Sequence, residues 1–98
     1  MSEKHYLYII TNKNEGVLYI GITNNLKRRI YQHKNKVHKS TFSARYNLDK
    51  LVYFEIFDSK DEALLREARM KKWNREWKMN LIKSFNPEWK DLYSEIKV

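Results

Sequence analysis

Two short stretches decide the fold: Tyr6-Leu7-Tyr8-Ile9-Ile10 and Val17-Leu18-Tyr19-Ile20-Gly21-Ile22, separated by Thr11-Asn12-Lys13-Asn14-Glu15-Gly16. Both stretches are rich in aromatic and β-branched residues, which suit a pleated, half-buried surface. The run between them consists of turn formers, so the whole reads as a β-hairpin with a longer loop. Side chains alternate faces along a strand. Tyr6, Tyr8 and Ile10 therefore share one face and Leu7 and Ile9 the other, while Tyr19 and Gly21 oppose Leu18, Ile20 and Ile22. A register that pairs Leu7 and Ile9 with Leu18 and Ile20 brings Tyr8 and Tyr19 together on the opposite face.

Outward from the hairpin, Thr23-Asn24-Asn25 offers N-cap residues and predicts a helix over residues 25–36. Leu26 and Ile30 stack one turn apart on it, with Arg29 and His33 beside that stripe. Residues 35–47 are polar and basic, broken by Phe42 and Tyr46, and read as a connection with a short turn of helix. Residues 51–57 form a third strand. Ser59-Lys60-Asp61-Glu62 matches a capping box for a helix over 60–73, whose apolar stripe includes Ala63, Leu64 and Met70. A further helix over 76–85 carries Trp77, Leu81 and Phe85 at four-residue steps. Asn86-Pro87 ends it, and Pro87 at a first helical position predicts a last helix with Trp89, Leu92, Tyr93 and Ile96 as its stripe. The order β-β-α-β-α-α-α implies an α+β fold, a small three-stranded antiparallel sheet flanked by helices. With 98 residues and no linker or repeat, one domain over 1–98 is expected.

The chain has 20 basic and 12 acidic residues, a net charge of +8. Phosphate binding with counterion release explains such an excess, and so does a solubilising surface. The absence of cysteine excludes disulfides and thiolate metal sites and points to a reducing compartment. His5, His33 and His38 lack the spacing of a zinc site. The polar N-terminal residues and the lack of a long apolar run predict a cytoplasmic protein without a membrane span. A monomer is compatible with these features. Trp73, Trp77 and Trp89 fit either a small core or a partner surface.

A few residues break local rules. Glu67 falls within the apolar stripe of its helix, four after Ala63 and three before Met70. A carboxylate there needs a partner, either a buried Arg such as Arg29 or a hard divalent cation. Arg29 borders the apolar face of its own helix, where it either snorkels or grips a phosphate. Tyr8 and Tyr19 are packing residues or proton-handling phenols, and His33 is a proton carrier or a surface residue. Gly21 is a β-to-α turn residue or a point of close backbone approach by a ligand. Lys27, Arg28, Lys34, Lys36, Lys39 and Arg45 form the densest basic stretch, interleaved with aromatics: a solvated face or a nucleic-acid groove.

Tyr6-Leu7-Tyr8, Tyr19-Ile20-Gly21, Arg29, His33 and Glu67, in this order and spacing, resemble the GIY-YIG nuclease domain. Lys71-Lys72-Trp73 and Asn86-Pro87-Glu88-Trp89-Lys90-Asp91-Leu92 resemble its small stand-alone branch, so the likeness runs over essentially the whole chain. Tyr6 stands where the first motif has glycine, and Ile22 where excision-repair members often have lysine. The resemblance implies a metal-dependent endonuclease that hydrolyses phosphodiester bonds in DNA, in repair or recombination, with one Mg²⁺ or Mn²⁺ on Glu67. Tyr19 would activate water with Tyr8 or His33 assisting, and Arg29 would stabilise charge on the phosphate. Asn86 would support the site, with Asn74 and Asn80 as alternatives. Gly21, Thr23, Lys27, Arg28, Lys34, Lys36 and Arg45 would contact nucleic acid. The alternative is a non-catalytic nucleic-acid-binding module.

Overall fold

The structure, a computed structural model, describes residues 3–36 and 42–96. Lys39 and His38 lie outside them. Strands β1 (His5–Thr11), β2 (Leu18–Thr23) and β3 (Lys50–Phe57) form one antiparallel sheet in the order β2-β1-β3. Helices α1 (Leu26–Lys34) and α2 (Phe42–Arg45) lie between β2 and β3, and α3 (Lys60–Lys71) and α4 (Arg75–Phe85) follow β3. This is the α+β arrangement expected from the pattern.

β1 is the central strand because Leu7, Tyr8, Ile9 and Ile10 are all buried, one pair against each face. Leu7, Ile9, Ile20 and Tyr53 pack with Met70 of α3 and Ile82 of α4. Tyr8, Ile10 and Leu51 pack with Leu26 and Ile30 of α1 and with Leu48 and Leu92. The sheet thus separates α1 from the α3–α4 pair. Pairing of β1 with β3 shifts between Ile9, opposite Tyr53, and Ile10, opposite Leu51, so Val52 is the extra residue of a bulge.

Helix starts follow the local chemistry. The side chains of Asn25, Ser59 and Asn74 accept hydrogen bonds from the backbone N–H of Arg28, Glu62 and Trp77. Loop 12–17 is tied by the Asn12 amide oxygen, which accepts from Val17 N at 3.0 Å. The Arg75 guanidinium donates to the Glu15 carbonyl at 2.7 Å, docking this loop on the start of α4.

Three expectations need correction. No α-helix starts at Pro87. Trp89 adopts φ 55°, which interrupts any helix, and only a 3₁₀ turn forms at Leu92–Glu95. Burial of the Trp89 indole offsets that backbone cost. Along α4, the buried residue is Ile82, whereas Trp77 and Phe85 are exposed. Their rings pair with other aromatics instead: Trp77 edge-on to Trp73 at 6.0 Å, and Phe85 edge-on to Tyr53 at 4.9 Å. On α3, Ala63 and Met70 are buried but Leu64 is exposed, because Glu67 lies on the inward-facing line that joins them.

Candidate active site

Three rings meet on the α1 side of the sheet. Tyr8 and Tyr19 lie 6.3 Å apart by centroid, and His33 is 5.6 Å from Tyr8 and 6.0 Å from Tyr19. Strand alternation puts the two phenols on one face, as the sequence indicates. The register differs in detail from the expected one. Ile9 does pair with Ile20, but Leu7 faces Ile22, so Tyr8 lies across from Gly21 and meets Tyr19 on the diagonal.

That register explains Gly21. A Cβ at this position would lie 2.6 Å from the Tyr8 hydroxyl oxygen and 2.7 Å from its Cζ. The glycine makes room for the Tyr8 ring. The ring crosses the neighbouring strand so that its hydroxyl lies 3.0 Å from Nε2 of His33. His33 is placed there by α1, whose Leu26 and Ile30 anchor the helix in the core.

Burial pushes the Tyr8 phenol well above its ordinary range, and the neighbouring Tyr19 adds to the rise. The Arg29 guanidinium opposes the shift and the Glu67 carboxylate reinforces it. One of these charges comes from α1 and the other from α3. Tyr8 is held as a neutral hydrogen-bonding group beside His33.

Glu67 is mostly covered, its side chain 19% exposed, and Lys71 one turn on lies 3.3 Å from its Oε2. The described cation on Glu67 is thus Lys71, not Arg29. Among the described residues no group of three or more His, Asp or Glu side chains forms a metal cage. One carboxylate still fits a Mg²⁺ or Mn²⁺ ion, which takes few protein ligands and completes its shell with water and phosphate oxygens.

The other sequence candidates separate. Lys34 ion-pairs with Asp91, donates to the Asp49 carbonyl at 2.9 Å and lies over the Tyr93 ring. These contacts fasten α1 to the C-terminal turn. Thr23 accepts from Asn25 N at 3.1 Å and shapes the entry to α1. Lys36 and Arg45 are exposed at the ends of α1 and α2, without described contact to the rings. Asn86 is buried, donating to the Val52 and Lys90 carbonyls and accepting from Lys90 N. It secures the C-terminal segment to the bulge of β3, outside the ring cluster. Asn74 caps α4 and Asn80 is exposed.

Lys27 and Arg28 gain a neighbour that sequence reasoning did not single out. With Asn25, Tyr31 and Tyr93 they line a shallow, open depression beside α1. The four-residue step from Lys27 to the exposed Tyr31 was the available signal. A cavity, about 340 Å³, runs along β2 and is lined by Leu18, Tyr19, Ile20, Lys71 and Lys78. Lys71, the ion-pair partner of Glu67, is among its lining residues.

Residues 4–80 match the model of the GIY-YIG catalytic domain. The chain belongs to the GIY-YIG family of nuclease domains. It is similar to UPF0213 proteins: 40% identical to one from Staphylococcus saprophyticus over 82% of this chain and 95% of the relative. One from Clostridium perfringens is 44% identical over 82% of this chain and 84% of that protein. The solution NMR structure of the UPF0213 protein BH0048 from Bacillus halodurans shares the fold, with a TM-score of 0.56 at 27% identity, covering 90% of this chain and 92% of that one.

Proposed function

We propose that this chain is a divalent-metal-dependent endonuclease that hydrolyses phosphodiester bonds in DNA, an activity suited to repair or recombination. The observation that carries the reading is the cluster of Tyr8, Tyr19 and His33, with the Tyr8 hydroxyl 3.0 Å from Nε2 of His33. Glu67 would hold one Mg²⁺ or Mn²⁺, which when bound polarises the phosphate and supports the departing oxygen. Tyr19 takes the proton of the attacking water and gives its own phenolic proton to His33 as the new oxygen–phosphorus bond forms and the ester bond breaks, and that proton then passes to the departing oxygen. His33 is its proton carrier, kept in position by the neutral Tyr8 hydroxyl. Arg29 stabilises negative charge gathering on the phosphate oxygens. Lys27, Arg28 and Tyr31 offer flanking phosphates and bases two cations and an aromatic face.

A second reading, nucleic-acid binding without hydrolysis, draws on the Lys71 ammonium that already occupies Glu67. Nicking of supercoiled plasmid, and cleavage of branched and single-stranded DNA, separates the two when wild type and Glu67→Ala are compared in Mg²⁺. Cleavage by the wild type alone supports the nuclease. Equal cleavage by both overturns it, and salt-sensitive binding without cleavage by either favours the second reading.

A further inference from the structure

The cavity along β2 combines features that the proposed chemistry does not use. β2 is an edge strand. Lys71 of α3 and Lys78 of α4 line the open groove beside it. Lys78 is half-buried and its side chain makes no hydrogen bond or ion pair among the described residues. Two cations lining one cavity repel each other unless an anion joins them, and Glu67 neutralises only Lys71. Tyr19, the residue assigned to water activation, is on the same stretch of β2.

We infer that Lys71 and Lys78 form a phosphate-binding subsite on the β2 edge, and that Lys71 exchanges the Glu67 carboxylate for a phosphate of the nucleic-acid strand. The inference rests on the nuclease reading and assigns it a way of coupling substrate to metal. Without nucleic acid, Lys71 serves as the cation of Glu67. A strand lying along β2 offers Lys71 a phosphate that Lys78 also reaches, and Glu67 becomes available to a divalent ion. By linkage, nucleic acid and metal then favour each other's binding.

The test uses the full chain and two readouts other than activity. Mn²⁺ affinity without nucleic acid is measured by electron paramagnetic resonance, and binding of a labelled single-stranded DNA oligonucleotide is measured by anisotropy in chelator. Lys71→Met should bind Mn²⁺ about two- to fivefold more tightly than wild type, the scale of releasing one covered ion pair. Lys78→Met should raise Mn²⁺ affinity much less. Each variant should weaken oligonucleotide binding severalfold, Lys71→Arg should restore it, and inorganic phosphate should compete only weakly. Equal Mn²⁺ affinities for wild type, Lys71→Met and Lys78→Met, all lost in Glu67→Gln, overturn the exchange and leave the nuclease reading standing. Mn²⁺ binding that ignores Glu67→Gln overturns both. Oligonucleotide affinity unchanged in Lys78→Met, or inorganic phosphate competing as well as the oligonucleotide, overturns the strand subsite.

Discussion

A methyl group on residue 21 would lie 2.6 Å from the Tyr8 hydroxyl oxygen and 3.1 Å from Cε1 of the Tyr19 ring. Gly21→Ala must push Tyr8 away from His33, so it should cost about 1–3 kcal/mol in urea unfolding and lower activity as well. An unchanged midpoint would mean the ring is not pinned. Burial also sets the pH response of Tyr8. Above about pH 10 the unfolded chain loses this phenolic proton while the folded chain keeps it, so stability falls as pH rises. Tyr8→Phe should flatten that alkaline decline relative to wild type, as read by melting temperature against pH. Arg29→Ala should lower kcat by about 10²–10³ with the fold intact, if it meets charge formed in the transition state. Glu67 was legible in the sequence because a carboxylate interrupts an apolar stripe. Its pairing with Lys71 follows from four-residue spacing, but the second cation at the cavity does not. Lys78 reaches it only through the tertiary placement of α4.

Local signals carried most of the elements. Alternation set the hairpin faces, and Asn25 and Ser59 mark helix starts where their side chains indeed cap. The end of the chain was not legible, because its conformation depends on a tertiary contact. Asn86 bonds to the carbonyl of the bulged Val52 and to both backbone groups of Lys90, which turns the chain so that Trp89 enters the core. Asn86→Ala leaves buried backbone groups unsatisfied and should destabilise by about 2–4 kcal/mol, against less than about 0.5 kcal/mol for the exposed Asn80→Ala. Similar losses in chemical denaturation would deny Asn86 this role. The aromatic spacing along α4 misled for a related reason: rings at four-residue steps mimic a core stripe, yet Trp77 and Phe85 pair with neighbours near the surface.

For the molecule as a whole, the charge of +8 has a place to act. Lys27 and Arg28 beside Tyr31, and Lys71 and Lys78 beside Tyr19, provide two cationic and aromatic surfaces, while Lys34 pairs with Asp91 within the fold. No described helix is long and apolar enough to cross a membrane. About three phosphate contacts to a single strand should make affinity fall roughly 10- to 20-fold between about 50 and 200 mM salt. A flat salt series would remove the phosphate-binding role assigned to these surfaces.

The central claim is that residues from β1, β2, α1 and α3 make one metal-using site. Backbone and side-chain NMR during Mn²⁺ titration tests it most directly, through distance-dependent broadening. Glu67 should broaden first, with Tyr8, Tyr19, Arg29 and His33 next, and Glu67→Gln should abolish the pattern. Broadening scattered over exposed carboxylates such as Asp61, Glu62 and Glu88, and indifferent to Glu67→Gln, would contradict the account.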